Sequence, residues 1–379
     1  MEFELTKKIF IASDTHGIIG GITRINEILF ESLIRNKYDV SFISLQKVTP
    51  DRDIIEFNKL KKYTSKNGLA SLHPGPLKSK LIIKKLLVPI WRIHQFTAIV
   101  KFLAAAPSGS VLIFSMTDIA FTFMNNVLFR KIIKWKNIKT IYQFHSNANS
   151  PYVTDQVIQI GNLVDVFVTL SKDDSAIFSK QILAKTVSIS NPSPSPIEDN
   201  NFLSRTKQIS VISRISPEKN IITIVDAFDT ASHQFPDWSL NVYGSGEDTE
   251  KLVQHLQKLN NPRINYEGVL STLEVTRVLK NSRLLAMASN FEGMPVALLE
   301  AASSGTPCIS NSSSYAVTNF IESTNGFLTE SNKVEDYTKR LLDALNELSY
   351  SDERSFQSLD YSKNNSIEGF TRDWISIID

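Results

Sequence analysis

The chain has 379 residues, 42% hydrophobic and 21% charged, which is too long for one ordinary domain and balanced like a globular rather than a disordered protein. No run approaches eighteen uninterrupted apolar residues, and Met1-Glu2-Phe3-Glu4 puts acids where a signal peptide needs positive charge, so a transmembrane helix and export are not expected and a cytoplasmic chain is. Cys308 is the only cysteine, which excludes internal disulfides and a cysteine-based metal site and leaves a packed core thiol as the expectation.

Lys8-Ile9-Phe10-Ile11-Ala12-Ser13 reads as a buried strand leading into a glycine-containing loop and a helix from about Ile22 to Arg35. That order opens a doubly wound α/β domain. The glycines do not follow the dinucleotide Gly-x-Gly-x-x-Gly pattern, so no NAD site is predicted. Gly20-Gly21 instead lets the backbone approach a ligand at a helix N-terminus, with Arg24 a turn further on. After a second strand at Tyr38–Ile43, Asp51-Arg52-Asp53 spells the acid-x-acid pattern of metal-using sugar transferases. No hydrophobic strand leads into it, so surface or cap acids are expected and no metal is predicted.

The net charge of +2 hides a one-sided distribution: Phe57 to Thr117 contains no Asp or Glu but ten Lys or Arg. Within it, Lys78, Lys80, Lys84, Lys85 and Arg92 alternate with Leu81, Leu86, Ile90, Ile93 and Phe96 near helical spacing, around Trp91 and interrupted by Pro89. A basic amphipathic segment with a tryptophan suits an anionic membrane surface, and its charge suits a phosphate-rich polymer. A core-packing helix with a wetted basic face reads the same way. Nucleic acid is not expected, because no recognition motif accompanies the charge.

Strands follow at Ser110–Ser115 and Lys139–Phe144 with a helix between them, and the second ends in His145, whose neutral imidazole can hydrogen-bond a ligand hydroxyl. A simple loop or cap histidine is the other reading. Val164–Leu170 leads into Ser171 and Lys172, a hydroxyl and an ammonium at another strand end. Thr186–Ser190 closes a first domain at residue 190. Prolines 192, 194 and 196 then make residues 191–206 a stiff linker.

The second domain, 207–356, opens with the strand Ile209–Ser213 followed by Arg214 and Lys219, two cations at a turn before a helix, suited to a diphosphate. Trp238–Tyr243 ends in Gly244-Ser245-Gly246, and Ile264–Gly268 precedes a loop at Val269 and Leu270. Then comes the most informative stretch. The apolar strand Ser282–Ala288 leads into Asn290-Phe291-Glu292-Gly293-Met294-Pro295-Val296, a helix carrying Glu300, Gly305 at its stop, and the strand Cys308–Ser310. In a parallel sheet such a loop opens where ligands bind. Its amides can meet an anion, and Glu300 among apolar neighbours needs a hydrogen-bonding partner such as a hydroxyl-rich ligand. On chemistry alone, a helix-cap acid and a surface acid fit equally well. A helical tail with Phe370 and Trp374 closes the chain.

The stretch from Glu292 to Pro307 resembles the signature of retaining, nucleotide-sugar-dependent glycosyltransferases of family 4 (glycosyl transferases group 1). That signature has two glutamates separated by seven residues around Gly-x-Pro, followed by Glu-Ala and Gly-x-Pro; Glu292, Gly293, Pro295, Glu300, Ala301, Gly305 and Pro307 match. Gly20-Gly21 with Arg24, and Arg214 with Lys219, resemble two further family loops, with Ser213 and Asn220 replacing glycines of the second. The resemblance implies a GT-B fold, two doubly wound Rossmann-like domains facing across a cleft, with the tail from about 357 to 379 packing back on the first. It implies a retaining, metal-independent hexosyl or N-acetylhexosaminyl transfer from a nucleotide-diphosphate sugar, with no cofactor, to a glycan, glycolipid or cell-wall or capsular polymer precursor.

In that reading Arg214, Lys219, Glu292 and His145 are the catalytic set. Gly20, Gly21, Gly244, Gly293, Met294, Pro295, Val296 and Glu300 bind the donor. Arg24, Ser171 and Lys172 lie toward the acceptor. Membrane or polyanion contact falls to Lys78, Lys80, Lys84, Lys85, Trp91 and Arg92. A peripheral place on the inner membrane face and a homo- or hetero-oligomer are compatible with it. Two other classes stay open: a non-catalytic accessory subunit, and a sugar-nucleotide hydrolase or epimerase on the same fold.

Overall fold

A computed structural model describes residues 7–13, 20–43, 95–197 and 201–379. The chain divides into two units, residues 1–189 with 371–379, and residues 190–370. Asp51, Asp53 and the basic residues Lys78 to Arg92 lie outside the described residues.

Unit 1 is built on β1 (Lys8–Ala12), β2 (Asp39–Ile43), β3 (Val111–Phe114), β4 (Lys139–Gln143), β5 (Val166–Thr169) and β6 (Lys185–Ser188). They form a wholly parallel sheet in the order β2-β1-β3-β4-β5-β6. Their near-continuous apolar sequences follow from burial on both faces, since β1, β3, β4 and β5 are almost fully enclosed. Helices α1 (Gly21–Arg35), α2 (95–105), α3 (Thr117–Met124), α4 (Val127–Trp135), α5 (Asp155–Gly161) and α6 (Lys172–Phe178) cover it. Between β3 and β4 the sequence suggests one helix, whereas the structure has two. Asn126 breaks the run, because its side chain accepts the amides of Leu128 and Phe129 and so starts α4 afresh. Aromatic rings fill the interior on one side; Phe167 and Phe178 have centroids 4.8 Å apart.

Unit 2 contains β7 (Gln208–Ile212), β8 (Ser239–Tyr243), β9 (Ile264–Gly268), β10 (Leu284–Ala286), β11 (Cys308–Asn311) and β12 (Phe327–Thr329). The order β9-β8-β7-β10-β11-β12, all parallel, is that of a doubly wound nucleotide-binding domain. The direction of winding reverses between β7 and β10. Helices α7 (Ile221–Ala231), α8 (Thr249–Leu259), α9 (Thr272–Asn281), α10 (Val296–Ser303) and α11 (Tyr315–Ser323) make the crossovers between its strands. The regular part of β10 is shorter than the apolar run 282–288, but the ladder continues through bonds from Arg283 N to Gln208 O and from Met287 N to Ile309 O. Cys308 is buried in β11, and burial pushes its thiol pKa well above the usual range, as a core thiol requires.

The proline-rich segment after residue 190 is fastened to unit 2. The Asn191 side-chain amide donates to Met294 O, Ser193 N to Asn365 O, Ile197 N to Ser303 O, and the Ser362 hydroxyl to Pro194 O. At the other end of the chain, residues 371–379 belong to unit 1. Lys7 Nζ donates to Ile378 O at 2.6 Å and the Tyr38 hydroxyl reaches Asp379.

Candidate active site

The reversal point of unit 2 brings together two loops, residues 213–220 after β7 and 287–295 after β10. Ligands of such sheets bind at this place because the neighbouring loops diverge there and open a crevice at the strand ends. The β7 loop contains a 3-10 turn, Pro217–Lys219, and ends at Asn220 with φ 49° and ψ 41°. This is the left-handed region, which asparagine tolerates better than most residues. The replacement of glycine by Asn220 therefore keeps the backbone path, and helix α7 starts on schedule.

The second departure, Ser213, sits where space is tight for a different residue. Gly244 has φ +132°, and a Cβ there would lie 1.8 Å from the Ser213 carbonyl oxygen. Ser213 N donates to Tyr243 O, and Gly244 N to Gly268 O. Gly244 thus lets the β7 and β8 loops lie against each other, as does Gly246, where a Cβ would lie 2.1 Å from the Ile215 carbonyl oxygen. Within the described residues these tight contacts are with protein backbone.

The two loops are lashed together around a pair of charges. Lys219 Nζ lies 2.5 Å from Glu292 Oε1, with both side chains largely buried. Asn290 N donates to Glu218 O at 2.7 Å, and Asn332 links the Asn290 side chain to the start of α7 through Asn220 and Thr223. Arg214 is 68% exposed and held by Glu218 at 2.9 Å. Glu218 was not among the expected site residues, though its spacing four residues after Arg214 is the available signal. Burial disfavours its carboxylate, but surrounding donors and the charges of Arg214 and Lys219 outweigh this and hold its pKa below the usual value.

The glycine loop has a defined polarity. The Ser314 hydroxyl donates to Gly293 O at 2.8 Å, and Asn191 donates to Met294 O at 3.0 Å. In a planar trans peptide the N–H points opposite the carbonyl, so the Met294 amide faces away from Ser314. Pro295 is the N-cap of α10, one residue ahead of the expected first turn, and the cap makes no side-chain bond. Leu298 N donates to Pro295 O, and the amides of Val296 and Ala297 ahead of it can meet an acceptor. Leu298, Leu299, Ala301 and Ala302 are fully buried while Glu300 is half-buried, which puts Glu300 on the less enclosed face of α10.

Unit 1 contributes its residues separately. Gly20, with φ 174°, is the extended N-cap of α1, and no atom of the described residues lies within 4 Å of a Cβ built on it. Neither backbone angle nor internal crowding demands glycine there; the exposed Gly20-Gly21 surface and the exposed Arg24 leave room for something external. His145 follows β4. Its Nε2 is buried with no partner among the described residues, and burial lowers its pKa to about 4, so the ring is neutral near pH 7.

Ser171 departs from the expectation of a free hydroxyl at a strand end. It is the buried N-cap of α6, accepting the Asp174 amide at 3.0 Å and donating to the Asp174 carboxylate, which also takes the Ala148 amide. A serine followed three residues later by an acid is a helix-start signal, and that signal outweighs its place at a strand end. Lys172, next to it, is exposed.

Residues 195–355 match the family described as glycosyl transferases group 1. Over 385 aligned residues the chain is 26% identical to an uncharacterised glycosyltransferase of Haemophilus influenzae, covering 98% of this chain and 100% of that one. Among solved structures, a mutant of Staphylococcus aureus TarM in complex with fondaparinux, α-GlcNAc-glycerol and UDP superposes with a TM-score of 0.75 at 13% identity, across 99% of this chain and 100% of that one. Anabaena HepE with UDP and glucose gives a TM-score of 0.71 at 13% identity, across 98% and 99%. The chain therefore has the GT-B glycosyltransferase fold, and its residues 195–355 match glycosyl transferases group 1.

Proposed function

We propose that this chain is a retaining, metal-independent glycosyltransferase moving a hexosyl or N-acetylhexosaminyl group from a nucleotide-diphosphate sugar to a glycan, glycolipid or wall or capsular polymer precursor. The observation that carries this reading is the Lys219–Glu292 pair at the reversal point of unit 2, beside Arg214 and the amides that open α10. UDP and sugars accompany TarM and HepE in their structures, which supports a nucleotide-sugar donor. The assignment of retention rests on the resemblance of the Glu292–Pro307 stretch to family 4.

The chemistry follows from charge. The bond between the anomeric carbon and the diphosphate oxygen breaks, an acceptor oxygen forms the new bond on the same face, and the acceptor proton passes to the departing phosphate. The nucleoside diphosphate gains negative charge as it leaves. Lys219 and Arg214 neutralise that charge, and the amides at Met294 and Val296 add dipoles that need no reorganisation. An ammonium has three donors, so Lys219 can keep Glu292 and still bind a phosphate oxygen. Glu292 accepts donor-sugar hydroxyls and Glu300 the ribose hydroxyls. His145 is a neutral imidazole able to hydrogen-bond a sugar hydroxyl, and Arg24 and Lys172 are exposed cations on the acceptor-bearing unit. Gly244 keeps an indirect role, shaping the loop that carries Arg214.

The test is calorimetric binding and slow hydrolysis across a panel of nucleotide sugars in chelator, with Lys219→Ala and Glu292→Ala as controls. One donor bound by the wild type and weakened at least tenfold by each substitution supports the reading. Folded protein that binds none of them overturns it in favour of an accessory subunit. Release of free sugar as the only product, with acceptors present, would favour a hydrolase.

A further inference from the structure

Helix α4 (Val127–Trp135) faces solvent with a surface that suits neither water nor a buried interior. Val127 is 57% exposed, Leu128 45% and Trp135 80%. Lys131 and Lys134 lie beside them, Lys131 exposed and Lys134 exposed one turn on. At 3.6 residues per turn these five positions fall within about 120° of arc, so they form one stripe, apolar with two cations inside it. The opposite face packs inward through Phe129 and Ile133, both buried. Phe129 meets the Phe96 ring of α2 at 5.2 Å. Lys136 donates to the carbonyls of Ala104 and Ala106 at the end of α2. The helix is therefore fixed, and its outer stripe is not a fraying end.

The local sequence around the stripe is one-sided in charge. From Ile119 to Thr154 the sequence has Arg130, Lys131, Lys134, Lys136 and Lys139 and no Asp or Glu. Beside α4 lies a cavity of about 780 Å³ whose polar lining includes Lys7, Arg130, Lys134 and Lys139, with Asp165 and Asp379. Asp165 is committed to the amide and hydroxyl of Thr140. Burial first, then the nearby Lys7 ammonium, lowers the Lys139 pKa, against the opposing pull of Asp165 and Asp379.

We infer that α4 is a membrane-contact helix, lying in the plane of an anionic lipid surface with Val127, Leu128 and Trp135 in the interface and Lys131 and Lys134 among the headgroups. The stripe has what interfacial helices need: a tryptophan, small aliphatic neighbours, and lysines whose stems can snorkel. A polyanion in solution would use the lysines but has no use for the exposed tryptophan. A protein partner would favour fewer lysines at the centre of the patch. Anionic lipid accounts for both features. The inference rests on reading the chain as a transferase with a surface-bound acceptor, yet it uses none of the donor-site residues.

Flotation of the full chain with vesicles tests it, comparing phosphatidylcholine alone with phosphatidylcholine containing about a third phosphatidylglycerol. Trp135→Ser, Val127→Ser/Leu128→Ser and Lys131→Glu/Lys134→Glu all change positions on the outer stripe, and thermal melts confirm folding. Binding of wild type to the anionic vesicles only, weakened about tenfold by Trp135→Ser and more than ~25-fold by the lysine reversal, supports the proposal. No binding, or binding untouched by these substitutions, overturns it. Equal affinity of wild type and Trp135→Ser for soluble polyphosphate, without vesicle binding, assigns the patch to a polymer instead. Self-association lost in Trp135→Ser, without vesicle binding, assigns it to a second copy. Nucleotide-sugar binding is measured in parallel; its retention in every α4 variant separates a failure here from a failure of the donor-site reading.

Discussion

Lys219 and Glu292 are 73 positions apart in sequence and 2.5 Å apart in space. Each alone is an ordinary charged loop residue; together, at a sheet's reversal point, they make the candidate site. Replacing Lys219 with Ala is expected to lower kcat/KM about 10²–10³-fold, the usual loss when one group stabilising a developing charge is removed. Steady-state kinetics with the donor found by calorimetry will show it. A double-mutant cycle with Glu292→Ala should show non-additivity, because the two side chains are in direct contact and each single change already removes the bond between them. Gly244→Ala is a different kind of residue-scale change. Its Cβ would meet the Ser213 carbonyl, and its φ disfavours any side chain, so a loss of several kcal/mol, on the order of 2–4, is expected in denaturant unfolding, with weakened donor binding. The sequence offers this glycine as a donor-binding position at a strand end, whereas its approach to the Ser213 carbonyl is visible only in the fold.

Elements can commit to helix capping a residue that the sequence offers to a ligand. Ser171 sits at a strand end, which suggested ligand contact, but its hydroxyl is engaged by the start of α6. Ser171→Ala is expected to cost about 1–2 kcal/mol of stability while leaving kcat/KM within about twofold. A thermal melt and a rate measurement on the same sample decide it; a large rate loss with unchanged stability would restore the acceptor role. Asn126 shows the same competition. The sequence between β3 and β4 is apolar enough for one helix, yet the Asn126 side chain takes two amides and begins a second one. Cap chemistry is local and could in principle be read. It is outvoted on paper because hydrophobic periodicity runs straight through it.

At the scale of the whole molecule the two units should respond differently to perturbation. His145 has a pKa of about 4 in the folded chain against 6.5 for the free side chain. The unfolded chain therefore takes up the proton first as pH falls, and unit 1 loses stability between pH 6.5 and 4, with no further change above. The effect is on the order of 3 kcal/mol at most, and His145→Gln should flatten it. Chemical denaturation at several pH values measures the slope. Residues 371–379 belong to unit 1, and Trp374 and Ile378 are fully buried there. Trp374→Ala is expected to cost about 3–5 kcal/mol, read as an early unfolding transition, while donor binding by unit 2 persists below that transition.

The sequence by itself determined the elements and their class. Runs such as Ile9–Ala12 and Val111–Phe114 are apolar throughout because parallel strands are buried on both faces, and that property is local enough to read from letters. It also determined the loop and helix from Glu292 to Pro307, since loop, helix start and helix stop are set by neighbours a few residues apart. Tertiary structure alone decided which loops meet. Strand order placed β7 beside β10 and so joined Lys219 to Glu292, Asn290 to Glu218 and Asn332 to both loops. It turned the α4 stripe outward, although the same apolar residues would serve equally well in a core. Strand order and helix facing depend on the summed packing of many distant residues, and no window of the sequence contains that sum.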